Sequence, residues 1–395
     1  MLAWTGFSLA ILSLICLSRH DLALGMTVAS VVLAAFTLSL AELGQALLAT
    51  IADPSVLLLA GVVGLIPMVG GALEVSGQMD RLVGNMRIGR KPFLAVSPAL
   101  LGMLPMPGGA LLSAPLVESG AGADTPADTK AAVNIWFRHA ILLIYPLGPA
   151  LIVSAKIAGL DLYQVILFLA PAFLLMFVLG YLFLLRGVDG NIGYKGRFSL
   201  CGLLTPLLII LIAPGLDVVV KRAFYLPYPE IGTALGVTVS FVLAVAVGRL
   251  RATDIRRVWQ KMQPWKFSLI IFAMFIFLNV FNLSGIPQAL ANINLLPVIL
   301  CIVVAFALGM VTGRIQTAAS IIIPIFLYRY GTMSGAVFAV TYFAIFLGYI
   351  ITPIHPCVSV SVGYFSTSMA ALLKRLSVPV AIAVLVNLGI AFLVI

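Results

Sequence analysis

Leu101-Gly102-Met103-Leu104-Pro105-Met106-Pro107-Gly108-Gly109-Ala110 lies at the centre of an apolar segment, 93–117, and makes a poor continuous helix. Two prolines remove backbone donors, and two glycines permit a reversal and close approach by other backbone. The opening triplet returns as Leu308-Gly309-Met310, an offset of 207 residues. At the same offset Ser113 falls on Ser320, Pro146 on Pro353, Pro149 on Pro356 and Ser154 on Ser361, with no gap needed. Proline-broken segments at corresponding positions of two halves point to a transporter with its site between them.

Composition fixes the setting. Only 9% of the 395 residues are charged, 62% are hydrophobic, and the mean hydropathy is +1.18. Globular chains carry about a quarter charged residues, so this one reads as an all-α polytopic membrane protein with spans of about twenty residues. The net charge of +10 does not imply nucleic acid, because the bases sit in loops between apolar segments. Cys16, Cys201, Cys301 and Cys357 lie singly in apolar stretches, as small core residues rather than metal ligands or disulfide partners. The first segment lacks a basic leader and a small-residue cleavage site, and reads as a retained span.

Apolar segments fall at about 3–18, 22–45, 55–77, 93–117, 134–158, 160–185, 198–220, 229–248, 267–284, 294–328, 336–365 and 378–395. Segments 93–117 and 294–328 carry Gly, Pro and Ser/Thr near their centres and read as re-entrant hairpins. That leaves five spans in each half, and an odd number inverts the second half relative to the first. The first repeat covers 1–188 with a broken helix at 134–158, and the second covers 198–395 with a broken helix at 336–365. A glycine-containing cytoplasmic linker, 189–197, joins them. With both termini outside a cytoplasmic membrane, Arg19, the clusters at 81–91, 186–197 and 249–266, and Lys374-Arg375 all fall inside. Lys221, Arg222 and Arg329 alone fall in outer loops, which satisfies the positive-inside rule.

The first hairpin tip offers the amides of Gly108, Gly109 and Ala110 at the start of a helix, which suits an anion. The alternative is a proline-kinked span packed through its glycines; the repeat favours the hairpin. The matching tip, Thr312-Gly313-Arg314-Ile315-Gln316-Thr317-Ala318-Ala319-Ser320, is polar and cationic. Arg at a helix centre in the membrane costs about 2.5–3.5 kcal/mol on the insertion scale. Either an anionic substrate compensates Arg314, or it reaches water or a carboxylate such as Glu74. Gln316, Thr317 and Ser320 would orient a ligand. The second pair of breaks is Tyr145-Pro146-Leu147-Gly148-Pro149 and Thr352-Pro353-Ile354-His355-Pro356, where paired prolines unwind a turn. His355 is there either to carry a coupling proton or to bond a freed carbonyl. Ser154 and Ser361 follow the breaks and are placed to line the same cavity. Arg138 and His139 lie far enough before the first break to reach an interface rather than the site, with Arg138 left open between the two; Lys156 snorkels, and Asn134 is an N-cap or an interface residue. Glu42 and Glu74 are the remaining intramembrane carboxylates, as proton sites or as structural partners of arginine.

With these motifs in view, the chain resembles the ion transporter superfamily of secondary carriers, which includes gluconate, citrate and dicarboxylate permeases. Within it, the resemblance is to an uncharacterised family of bacterial and archaeal integral membrane proteins. Residues 104–115, Leu-Pro-Met-Pro-Gly-Gly-Ala-Leu-Leu-Ser-Ala-Pro, and 317–324, Thr-Ala-Ala-Ser-Ile-Ile-Ile-Pro, carry it. It implies inverted repeats, a scaffold that forms a homodimer, and an elevator-like transport domain built from hairpins and broken helices. It also implies substrate contact by Pro105 to Ala110, including Pro107, and by Gly313 to Thr317. The Ser-Asn-Thr signatures of the sodium-coupled dicarboxylate branch are absent from both tips, which favours a proton as coupling ion.

The function that follows is proton-coupled transport of a small anion, an organic carboxylate, with no cofactor and no metal. An intramembrane enzyme is the first alternative, but HExxH, GxSxG and paired aspartates are all missing, and His20, His139 and His355 are scattered in sequence. A channel is the second, although no selectivity filter or charge ring is visible. No P-loop marks an ATP-driven pump.

Overall fold

Short helices that stop inside an apolar body define the architecture. The structure, a computed structural model, describes every residue except 1, 19, 104–108, 123, 191, 193, 195, 196 and 294. Among the described residues it is helical, with no strand. Helices α1 (Leu2–Ser18) and α2 (Leu22–Thr37) pack along each other, and Asp21 caps α2 through the Leu24 amide. Helix α3 (Leu40–Ile51) is separate, because Ser39 and Glu42 close a reciprocal capping box at the break. The expected single segment 22–45 is therefore two helices, and Glu42 is an exposed capping residue rather than an intramembrane carboxylate. Helix α4 (Pro54–Val75) leads through α5 (Gln78–Gly84) to α6 (Arg90–Gly102) and α7 (Gly109–Ala121). These last two pack together as the first hairpin. At 13 residues each they span about 20 Å, too short for a hydrocarbon core of about 30 Å.

Helix α8 (Ala127–Ala140) continues as a 3-10 turn, Ile141–Leu143, and then unwinds. It begins seven residues ahead of Asn134, so Asn134 is a buried interior residue and not a cap. Helix α9 (Pro149–Ile157) resumes after the break, and α10 (Leu162–Gly180) runs on as a wider turn to Leu185. The second half holds α11 (Leu200–Ala223), α12 (Glu230–Gly248), α13 (Ala252–Met262), α14 (Pro264–Leu283) and α15 (Ile286–Ala291). The basic stretch 249–266 thus contains a helix of its own, packed on α4. A wide-turn segment, Ile299–Val304, leads into α16 (Ala305–Thr312), which meets α17 (Ile315–Tyr330) at Gly313-Arg314. Helix α18 (Gly335–Ile351), α19 (Pro356–Tyr364) and α20 (Met369–Val394) complete the chain. Helix α20 starts at Met369 rather than 378, because Ser368 caps it and the helix carries Lys374 and Arg375 within its first turns.

The two breaks are built alike. Pro149 and Pro356 each occupy the first position of a nine-residue helix, where a missing N–H costs nothing. Thr352 ahead of Pro353 is extended, as a residue before proline prefers, and α18 ends at Ile351. Two glycines repeat a close contact at the same offset. A Cβ on Gly102 would fall well under 3.0 Å from the Arg138 carbonyl oxygen, and one on Gly309 equally close to the Ile345 carbonyl. Packing is exchanged between the halves: α7 lies on α19, and α17 lies on α9.

Among the described residues seven helices are long and apolar enough to cross a membrane. Among them α4 and the broken segment 335–364 are largely buried, whereas α10, α11 and α20 expose Leu167, Leu174, Leu208, Val219, Leu385 and Phe392. Helices α1 and α2, at 17 and 16 residues, are shorter than a full span. Inside this body Lys156 does not snorkel. It pairs with Glu230 at 2.5 Å and reaches Ser55, tying α9 to α12 and α4. Asp217 takes bonds from Tyr163 at 2.5 Å, Thr233 at 3.0 Å and Lys221 at 2.9 Å.

The glycine contacts are testable. Gly309→Ala is expected to lower stability by about 1–3 kcal/mol, the usual range for overpacking. It should melt earlier than wild type in detergent, whereas Gly389→Ala, with open space around it, should not. Equal melting of both variants would remove the α16–α18 contact as a constraint.

Candidate functional site

Both breaks and the second hairpin tip open on one cavity of about 340 Å³. The last turn of α8 contributes Arg138 and His139, and the unwound stretch after it adds Tyr145, Gly148 and Pro149. The start of α17 contributes Gly313, Arg314 and Gln316. Tyr342 and Tyr349 come from α18, and His355, Pro356 and Cys357 from the second break.

Each polar group is held by local geometry. Gly313 is left-handed, with φ of +60°, and turns the chain so that Arg314 begins α17. Thr312 Oγ1 donates to the Arg314 carbonyl at 3.1 Å and accepts from the Arg314 amide at 3.3 Å. Arg138 is 5% exposed, and its guanidinium lies against Gly109, where any Cβ would collide with it. Its Nη1 is 3.5 Å from Ser113 Oγ, and the Cys357 thiol lies beside it. Neither arginine has a carboxylate partner among the described residues, and no carboxylate lines the cavity.

The histidines meet in the same space. His139 Nδ1 is 2.6 Å from the Ile135 carbonyl, so that nitrogen carries the hydrogen and Nε2 keeps its lone pair. His355 Nε2 and the Tyr349 hydroxyl are 2.5 Å apart. The two imidazoles stand edge to face with centroids 4.8 Å apart. Donor atoms of His139, His355 and Cys357 all lie within 4.8 Å of one another, a spacing a metal ion could use. Two guanidinium groups and no carboxylate suit an anion there better than a cation.

The sequence candidates divide around this cavity. Gly313, Arg314, Gln316, Pro149, His355 and Pro356 line it. Gly109, Ala110 and Ser113 sit behind Arg138 at the start of α7. Thr317 and Ser320 are buried in α17, Ser154 in α9 and Ser361 in α19. Ser154 and Thr317, on packed helices, leave their hydroxyls without a hydrogen-bond partner. Pro146 and Pro353 lie in the unwound turns without lining the cavity. Pro105, Pro107 and Gly108 lie outside the described residues. Glu74 is away from Arg314 and pairs with Lys261 at 2.7 Å, and Glu42 is also remote. Cys16 and Cys201 are exposed, so only Cys301 is a buried core thiol.

The sequence puts Arg138 and His139 within reach of an interface and Asn134 at a helix start, and it gives no sign of Tyr349. Asn134 is fully buried and donates to the Ala110 carbonyl at 3.2 Å and to Ser361 Oγ at 3.0 Å. It therefore ties α8 to the first hairpin and to the second broken helix. The signal for Arg138, His139 and Asn134 was a polar residue in an apolar run, read against a wrong helix end.

The family model described as protein of unknown function (DUF401) matches residues 4–395. The chain belongs to the DUF401 family. No curated protein matches it. In fold, this DUF401 member is similar to the crystal structure of the Alcanivorax borkumensis YdaH transporter, reported to have an unusual topology. The TM-score is 0.60 at 18% identity, over 84% of this chain and 83% of that one. Among the described residues seven helices are long and apolar enough to cross a membrane, and with this likeness they make the DUF401 chain a multi-pass membrane protein.

Asn134→Ala should cost about 1–2 kcal/mol by removing both bonds of the bridge and leaving the buried Ser361 hydroxyl without its donor. Thermal unfolding should shift downward against the exposed control Ser359→Ala, and a coincident transition would discard the bridging role.

Proposed function

We propose that this protein is a secondary active transporter of a small anion, an organic carboxylate, coupled to protons. The observation that carries the reading is the convergence of Arg138 and Arg314 in one cavity with no acid among the described residues to neutralise them. Arg138 is buried and Arg314 half-buried; a buried charge without a partner is costly, and an anionic substrate is the group that offsets it. Each arginine comes from a different half of the chain, so an anion between them sits where a carrier with two repeats holds its substrate. The likeness to a transporter fold supports the same class.

The repeats are inverted in this reading, with five spans and one re-entrant hairpin each, divided at 189–197. The shared glycine contacts and the exchanged packing of α7 on α19 and α17 on α9 support it. Helices α6 to α9 and α16 to α19 then form the moving domain, which carries the cavity from one side to the other. The hairpin tips, Pro105 to Ala110 and Gly313 to Thr317, close on the substrate. Pro146 and Pro353 unwind the helices that frame it, with Ser113, Ser320, Ser154 and Ser361 beneath. The scaffold dimerises in a cytoplasmic membrane with both termini outside.

One observation favours a second reading. Cys357 beside two histidines resembles the start of a thiol enzyme site. That enzyme would need Cys357, whereas the carrier does not.

Reconstituted into liposomes with an imposed pH gradient, the protein should accumulate one of a panel of labelled carboxylates saturably. Arg314→Ala and Arg138→Gln should each weaken uptake roughly 10- to 100-fold, the value of a charge-assisted hydrogen bond. Cys357→Ser should transport normally. Saturable uptake untouched by either arginine substitution would sink the proposed site, and gradient-independent turnover lost in Cys357→Ser would replace the carrier with the enzyme.

A further inference from the structure

We propose that His139 and His355, bridged to Tyr349, form a one-proton site whose occupancy is locked to an anion on Arg138 and Arg314. This rests on the anion-carrier reading and supplies the means by which proton and anion travel together.

The geometry is specific. His139 comes from the last turn of α8 and His355 from the break before α19, so the pair exists only where the two halves meet. Their rings stand 4.8 Å apart, close enough that protonating one opposes protonating the other. The pair therefore takes a single proton. His139 Nδ1 is committed to the Ile135 carbonyl, which leaves Nε2 as its basic position. On the other ring Nε2 is engaged by the Tyr349 hydroxyl, 2.5 Å away, and a hydroxyl both donates and accepts. Tyr349 can thus hold neutral His355 as donor, or accept from it once the imidazole is protonated.

The charges around the pair set when the proton enters. Arg138 faces it from α8 and Arg314 from the start of α17. Tyr145, Tyr342 and Tyr349 supply hydroxyls, and Cys357 a thiol. No carboxylate is among the described lining residues. Without an anion, a proton on either imidazole adds a third positive charge to a site that already holds two. A carboxylate on the arginines cancels one of those charges and a dianion both, so the repulsion on the incoming proton falls. The linkage is reciprocal: the anion raises proton affinity, and the proton raises anion affinity by the same factor. Neither then binds well alone, which is what tight coupling requires. No bond is made or broken beyond N–H, with the proton taken from water on one side and returned to water on the other.

The test counts protons during binding rather than transport. Succinate, benzoate and inorganic phosphate are titrated into the nanodisc-embedded full chain by calorimetry, in buffers of different ionisation enthalpy. The anion that binds should draw in about one proton per molecule at pH 8, and its affinity should fall about tenfold per pH unit above the titration of the pair. In His139→Gln/His355→Gln the same anion should still bind, more weakly, with no proton uptake and no pH slope. Tyr349→Phe should shift the pH at which affinity begins to fall without abolishing uptake. Binding with no proton uptake in wild type would overturn this inference and leave the anion reading standing. Uptake preserved in the double variant would place the proton elsewhere and overturn it as well. Where the double variant does not fold, His139→Gln and the wild-type slope decide the matter. Failure of every probe to bind would overturn the anion reading itself, and this site with it.

Discussion

A helix that stops inside the membrane must pass its freed amides and carbonyls to other protein groups, because hydrocarbon offers none. Most of the architecture follows from meeting that demand twice. At the first break the Tyr145 amide bonds back to Ile141 at 2.9 Å, and Gly148 to Tyr145 at 2.9 Å, so the unwound turn satisfies itself locally. At the second, Thr352 Oγ1 reaches across to the Met310 carbonyl at 2.5 Å, and the Ile354 amide bonds to Thr352 Oγ1. The break in α18 is thereby fastened to the end of α16, which is the arm of the second hairpin. Helices α9 and α19 then start on proline, with no donor to satisfy at their first positions.

Those fastenings require close backbone approach, and the glycines provide it. Gly102 lets α6 lie on the Arg138 carbonyl, and Gly309 lets α16 lie on the Ile345 carbonyl. Gly348 brings α18 against the Phe306 carbonyl in the same way. Dense packing of small residues is how helices associate where lipid removes the hydrophobic drive. It also leaves a space between the two breaks that long polar side chains fill. The polar side chains that collect there are polar because unwound backbone already makes that region unlike hydrocarbon.

Much of this frame was legible in the sequence. The offset of 207 aligned Pro149 with Pro356, and the helices they begin prove equal in length, nine residues each. Arg314 and His355 were singled out as polar groups at a tip and a break, and both line the cavity. Arg138 and His139 were misplaced for a physical reason. The reading ended the helix at Pro146, whereas it ends at Ala140 and gives way to a 3-10 turn. That shift moves Arg138 from mid-helix to the last turn, beside the break. Contacts between residues far apart in sequence, such as His139 with His355, left no local trace. Glu42 was misread because a capping box at Ser39 interrupts a run whose hydropathy alone looks continuous.

The repeat makes the frame, and its divergence makes the site. At the offset of 207 Arg138 corresponds to Ile345, His139 to Phe346, and Tyr349 to Leu142. Arg314 corresponds to Pro107, His355 to Gly148, and Cys357 to Ala150. Every ionisable or hydroxyl-bearing member of the cluster thus has a non-ionisable counterpart in the other half. The substitutions are interlocked, as Gly109 demonstrates. The Arg138 guanidinium occupies the space that any side chain at 109 would need, so glycine is required there. Its counterpart is Gln316, and there Ile345 stands in place of the arginine. A symmetric cavity would bind an anion in two equivalent orientations and offer a proton two equivalent places. Placing one arginine and one histidine in each half, at positions that do not correspond under the repeat, removes that degeneracy. The local geometry stays paired while the chemistry becomes directional, which is what a single bound substrate with a defined partner proton demands.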